Sequence, residues 1–301
     1  MSSPRNRFQF DPPEIVLLAL GVLVCAWTLE RQAFTLCIEC AFATVLVVSA
    51  ILITARFAAS SSGLTADRWE RARVFVSLPF LLWFYGSALG RLVPVLGAPL
   101  RDATMLSIDR TLFGETPSVP AIALASPLAV EVLSACYLSL HAMMACLLIW
   151  AFMGDAARVR RICQPSYLAF AVGFFGYIAM PCVGPEHAFP ALFTAALPVG
   201  PISAVNNSVI SAGTALYDVF PSLHTGMALT ILIHDARAFR RRFYFLLLPC
   251  TGIIISTIVL RYHYAIDLIF GAILAITVSA WPIGARRPAE SDERVPEAQA
   301  A

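Results

Sequence analysis

The 301-residue chain is 59% hydrophobic and only 13% charged, whereas a soluble globular domain carries roughly 25% charged residues, so an ordinary water-soluble enzyme is excluded and a polytopic membrane protein is indicated. A net charge of +2, with no basic patch interleaved with aromatics, excludes a nucleic-acid partner. Every one of the 21 basic residues is arginine, which also excludes mechanisms built on a lysine ammonium, a Schiff base or a P-loop.

A bilayer core about 30 Å thick takes about 20 mainly apolar residues per helix. Eight runs approach that length, over 15–29, 33–55, 74–90, 132–153, 167–182, 221–234, 243–260 and 264–281. The fifth and sixth are short and are expected to extend into their flanking segments. Six or eight spans are compatible with the pattern. Glu30 and Arg31 follow the first run without a small-residue cleavage site, which argues against a cleaved signal peptide. Cys37 and Cys40 form one CxxC pair with no second pair or histidine beside it, so the cysteines read as small hydrophobes in the core. Glu39, inside the second run, is expected to be paired within the bundle.

Arginine placement orients these spans, because short cytoplasmic loops accumulate basic residues. With the N-terminus inside, the inner segments hold Arg5, Arg7, Arg56, Arg68, Arg71, Arg73, Arg158, Arg160, Arg161, Arg237, Arg240, Arg241, Arg242, Arg286, Arg287 and Arg294. Only Arg31, Arg91, Arg101, Arg110 and Arg261 fall outside. The two longest outer stretches, 91–131 and 183–220, are punctuated by Pro, Gly and Ser, as loops and short interfacial helices are, and chemistry is expected there. The chain divides into N-terminal spans (1–90), a catalytic membrane domain (91–285) and a disordered cytoplasmic tail (286–301).

In Phe220-Pro221-Ser222-Leu223-His224 a proline at a helix start precedes a histidine at the outer end of the sixth span. Free N–H groups at such a start attract anions, and a phosphate suits that position. The chain crosses inward, turns at the arginine-rich loop 237–242 and returns, so Arg261-Tyr262-His263-Tyr264-Ala265-Ile266-Asp267 arrives on the same outer side. His263 and Asp267 stand four apart, on one helical face. A carboxylate there holds an imidazole in one tautomer and stabilises its cation. Asp218, just before Pro221, is placed at the mouth of this site. Tyr85, Trp150 and Trp281 read as interfacial anchors.

Pro221-Ser222-Leu223-His224 and His263-Tyr264-Ala265-Ile266-Asp267, followed by Gly271, resemble the second and third signatures of the type 2 phosphatidic acid phosphatase superfamily. The Ser-Leu-His and His-Tyr forms are most similar to its inositol phosphorylceramide synthase branch. Further echoes are Asp109-Arg110-Thr111-Leu112-Phe113-Gly114, Tyr137 with His141, and Pro181-Cys182-Val183-Gly184-Pro185, so the likeness covers roughly residues 105–275. It implies an all-α transmembrane bundle with a phosphatidic acid phosphatase-like core and a metal-independent, cofactor-free lipid phosphotransferase. In that reading a phosphoryl headgroup passes from a phospholipid donor to an alcohol, or to water in a phosphatase acting on a lipid phosphate or polyprenyl pyrophosphate. A transporter or scaffold is the non-enzymatic alternative.

The resemblance makes His263 the nucleophile that becomes a phosphohistidine, Asp267 its orienting acid and His224 the general acid. An imidazole titrates near neutral pH, which suits one ring to attack as a base while the other donates a proton. Ser222, Arg261, Arg110, Asp109, Tyr137 and His141 are the expected substrate contacts. Two departures stand out. The first phosphatase signature uses a lysine this chain lacks, and Thr257 follows Ser256 where the third signature has an arginine, which leaves Arg261 as the nearest guanidinium. Arg91 and Arg101 are expected to pair with Asp102, Asp109 or lipid headgroups. The absence of lysine suggests a GC-rich bacterial genome and hence the cytoplasmic membrane, with a eukaryotic Golgi membrane as the alternative, and the arginine placement has the site facing the extracytoplasmic side.

Overall fold

The computed structural model describes residues 8–212 and 216–281; the tail expected to be disordered lies outside them. The described residues fold entirely as helices and connections. In chain order these are α1 (Pro12–Glu30), α2 (Phe34–Ser60), α3 (Gly63–Trp83), a π-turn (Phe84–Ala88) leading into α4 (Leu89–Leu96), α5 (Asp102–Phe113), α6 (Pro127–Phe152), α7 (Ala156–Ala179), the single turn α8 (Pro185–Ala188), α9 (Pro201–Ala212), α10 (Leu223–Ala238), α11 (Arg240–Val259) and α12 (Ala265–Ala280). Six stretches are long and apolar enough to cross a membrane: α1, α2, the continuous 63–96 stretch, α6, α7 and α11. The chain is an integral membrane protein. Helices α10 and α12 have 16 residues each, about 24 Å of rise, and α10 packs against α6, α7, α11 and α12.

Two spans begin earlier than hydropathy places them. Helix α3 starts at Gly63 rather than near 74, and α7 at Ala156 rather than 167, because their first turns carry charges that a hydropathy window reads as loop. Those charges are paired with one another. Arg73, 1% exposed, holds both Glu14 oxygens (2.8 and 2.6 Å) and the Gln9 carbonyl. Arg160 pairs with Asp11 and Glu70, and Asp67 accepts the Ala156 N–H at 2.8 Å. Helices α1 and α3 are thereby fastened to α7 at one end of the bundle. At the same end the Arg158 and Arg242 guanidiniums lie over the Trp150 ring, 5.0 and 4.3 Å from its centroid.

At the opposite end, helix interfaces are set by small residues that let backbones approach. A side chain on Gly271 of α12 would meet the Ser222 carbonyl at 2.5 Å, so the start of α10 lies directly on α12. Gly173 and Gly176 of α7 form a notch: a Cβ on either would strike Leu223 (2.6 Å) or Pro221 (2.4 Å). The Pro-Ser-Leu-His segment is therefore seated between two glycine-faced helices. Outside the bundle, α5, α8 and α9 occupy the two stretches read as loops and short helices.

Candidate active site

Helix α10 begins with Ser222 as its cap, the hydroxyl accepting the Thr225 N–H at 3.3 Å. This places His224 in the first turn, where the N–H groups are free of intrahelical partners. His263 enters from the α11–α12 turn. Helix α11 ends when Thr257 O accepts the N–H groups of both Tyr262 and His263 (3.0 Å each) and Arg261 adopts a left-handed φ of 65°. A non-glycine residue there costs on the order of 1–3 kcal/mol, and the Arg261 guanidinium is clamped to hold it. It donates to Glu186 Oε1 (2.9 Å) and the Ala195 carbonyl (2.6 Å) and covers the Phe193 ring. The His263 carbonyl is fixed by the buried Ser118 hydroxyl at 2.9 Å.

The two imidazoles meet. The His224 and His263 ring centroids are 6.3 Å apart, and His263 Nδ1 lies 3.5 Å from Asp267 Oδ2. That carboxylate, fully buried, also accepts the Tyr264 N–H at 2.9 Å, so it is oriented by the first turn of α12. His224 Nε2 is buried without a protein hydrogen-bond partner. Tyr137 stacks on His224 with centroids 4.0 Å apart, and His141, one turn on along α6, stands edge-on at 6.1 Å. The structure thus brings His224, His263, Asp267, Ser222, Tyr137 and His141 together.

Helix α5 is the strut beneath them. Asp109 is buried, its oxygens accepting the N–H groups of Ala265 and Ile266 at 3.0 Å each and the Thr116 hydroxyl at 2.6 Å. It caps α12 with charge complementary to the helix dipole. Asp102, two turns earlier, accepts from the Val183 and Gly184 backbones (3.1 and 3.0 Å) and from the Tyr264 hydroxyl (3.0 Å). Gly184 has φ of 90°, and a Cβ there would lie 2.8 Å from the Tyr262 carbonyl, which explains the glycine of the Pro-Cys-Val-Gly-Pro segment. Neither aspartate pairs with Arg91 or Arg101. Arg91 instead binds Glu39, at 2.5 and 3.2 Å, so that acid is paired, with both side chains exposed rather than inside the bundle. Arg110 is exposed in the last turn of α5.

Tyr85 is exposed at its ring but not free at its hydroxyl. Its hydroxyl donates to Asp218 Oδ2 at 2.6 Å. Burial pushes the Asp218 carboxyl above its ordinary value, against the opposing effects of the Tyr85 hydrogen bond and the nearby His263. Tyr85, Asp218, His141 and His224 line a chamber of about 340 Å³ whose other walls are mainly apolar, among them Leu81, Met144, Phe170, Phe174 and Met227. The roles of Asp102, Tyr85 and the α7 glycines carry no local sequence signal, since each depends on a partner dozens of residues away. Among the described residues, no three His, Cys, Asp or Glu side chains are grouped as ligands for a metal ion.

A family model described as the PAP2 superfamily matches residues 103–281, from the start of α5 to the end of α12. The chain belongs to the PAP2 superfamily. No curated protein and no solved structure gives a significant match. The superfamily match supports a phosphatase or phosphotransferase of lipid type. It excludes α1–α4, yet Leu81 and Tyr85 from that region wall the chamber.

Proposed function

We propose that this PAP2 superfamily member is a lipid phosphotransferase of the inositol phosphorylceramide synthase type, working without a metal ion on the extracytoplasmic side of the membrane. The observation that carries the reading is the 6.3 Å separation of His224 and His263, with Asp267 behind the latter and an apolar chamber opening beside the former. One phosphoryl group fits between the rings, and a lipid chain fits the chamber. Residues 91–285 form the catalytic domain, and the N-terminal spans contribute one wall of the lipid site.

In this mechanism His263 attacks phosphorus through Nε2, since Nδ1 faces Asp267. The bond from phosphorus to the lipid oxygen breaks, and His224 gives that oxygen its proton. An acceptor hydroxyl then attacks the phosphohistidine, the P–N bond breaks, and His224 takes the hydroxyl proton. Splitting the displacement this way lets a second substrate choose the product. The positive end of the α10 helix dipole lies at His224, where negative charge develops. Asp267 is a positioning residue, holding the His263 ring and balancing its positive charge, while Asp109 and Asp102 hold the backbone on which both sit. Stacking on Tyr137 keeps the His224 ring in place.

The test is purified protein in detergent with a phospholipid radiolabelled at phosphorus, with and without an alcohol acceptor. A labelled phosphodiester supports transfer, and free phosphate alone would assign the chain to the lipid phosphatases instead. Full activity in His263→Ala would remove the mechanism.

A further inference from the structure

A groove of about 800 Å³ runs between α6 and α11 at the arginine-rich end of the bundle. A Cβ on Gly252 would meet Cys136 Sγ at 2.5 Å, so the two helices touch there and leave a furrow nearer the turn at Phe239. Buried Leu147 and Leu246 form its floor, and Met143, Cys146 and Phe245 stand along its sides. From Ser139 to Trp150 the α6 wall rises about 16 Å, against ~15 Å for half of a bilayer core about 30 Å thick. The groove has the depth of one leaflet.

Its mouth is cationic. Arg240, Arg241 and Arg242 line it, Arg158 lies over the Trp150 ring, and Arg161 shares a small neighbouring pocket with Arg242. The adjoining helix ends offer only Asp155 and Asp235 in return, and both are engaged. Asp155 accepts the Arg158 N–H at 2.9 Å as the cap of α7, and Asp235 accepts two nitrogens of Arg242. Arg240 and Arg241 are exposed and pair with no carboxylate among the described residues. Arg242, fixed by Asp235, lies 4.3 Å from the Trp150 centroid and 4.6 Å from that of Phe239, which builds one rigid wall at the mouth. An anionic headgroup answers this charge, whereas a zwitterionic one brings its own cation. A second copy of the chain packed on this face would set like charges against one another.

We propose that this groove is a binding site for an anionic phospholipid of the cytoplasmic leaflet, separate from the chamber beside His224. An acyl chain lies along Met143, Cys146 and Leu246, and the headgroup phosphate accepts N–H groups from Arg240 and Arg241, with Trp150 at the level between them. The arginine count is what assigns this end of the bundle to the cytoplasm. The lipid bridges α6, which carries Tyr137, and α11, which leads into the turn of His263, so occupancy stabilises the folded bundle by mass action.

The test is thermal unfolding of the purified protein in a nonionic detergent, titrated with dioleoylphosphatidylglycerol and, separately, with dioleoylphosphatidylcholine. The expected result is a melting temperature that rises with the anionic lipid and not with the zwitterionic one. With Arg240→Gln and Arg241→Gln combined, the lipid mole fraction giving half the rise is expected to be about thirtyfold higher, the worth of two arginines near a membrane surface. Ala142→Trp fills the groove from an exposed position and is expected to blunt the rise likewise, should the arginine variant fail to fold. Arg56→Gln with Arg68→Gln removes two exposed arginines that do not line the groove and is expected to respond as the parent does. Equal responses to the two lipids overturn the site, and so does a response to the anionic lipid that both groove variants leave unmoved, which would place that lipid elsewhere. A dimer found by light scattering and broken by Ala142→Trp would overturn it too, by giving the face to a second copy.

Discussion

Asp218 and Asp109 illustrate how differently two carboxylates are used within one site. Asp218 keeps a carboxyl in a chamber that is mostly apolar, and burial raises its pKa in the folded protein. A carboxyl with a raised folded-state pKa contributes its stability below the unfolded value, near 3.9, and loses it as pH rises through the folded value. Asp218→Asn keeps an acceptor for the Tyr85 hydroxyl and removes the charge. The variant is therefore expected to melt at a higher temperature than the parent in detergent at pH 7–8, with the gain vanishing near pH 4; a thermal shift series across pH checks it. Asp109 is the opposite case, with three donors converging on it. Asp109→Ala leaves two N–H groups of α12 unpaired and is expected to cost about 1–3 kcal/mol per group, read by thermal unfolding, with activity falling as His263 and Asp267 loosen.

The short helices carry the catalytic geometry, and they do so through contact distances that leave no slack. Gly271 lies under the Ser222 carbonyl, so Gly271→Ala must push α10 off α12. The expected cost is about 1–3 kcal/mol, as for other overpacked interfaces, and the two histidines part; the checks are thermal unfolding beside the labelled-phospholipid assay. Here the sequence was informative in some places and silent in others. The histidine motifs and the arginine-rich turn between them were legible because each is local and their parity across the membrane follows from counting spans. Gly271 was visible as part of a motif, whereas Gly173 and Gly176 were not, since a notch has meaning only once Pro221 and Leu223 are known to fill it. The early starts of α3 and α7 were hidden for a related reason: Arg73 and Arg160 look like loop charges until Glu14, Asp11 and Glu70 are brought to them from other helices. Asp109 was read as a substrate contact from its neighbours in sequence, but the backbone groups it holds lie more than 150 residues away.

Across the bundle the two ends do different work. One is a belt of buried and half-buried ion pairs that ties α1 and α3 to α7, and the other is a polar site enclosed by glycine-faced helices. Removing one partner of a buried pair strands the other charge, at about 3–5 kcal/mol. Arg73→Met is thus expected to lower stability by that order, and Arg73→Met with Glu14→Leu to recover most of it, as measured by unfolding of each protein in the same detergent. Because the 63–96 stretch that α3 begins supplies Leu81 and Tyr85 to the chamber, the single variant is expected to weaken lipid turnover as well, although it lies at the far end from the histidines.

The chemistry assigned to the two imidazoles is open to direct observation. Enzyme mixed with a phospholipid donor, quenched in alkali within one turnover and digested for mass mapping, is predicted to carry a phosphoryl adduct on His263. The adduct is predicted to be absent from His263→Ala and to form about 10²- to 10⁴-fold more slowly in His224→Ala, the usual contribution of a general acid. An adduct on any other residue, or undiminished product from His263→Ala, would contradict the account.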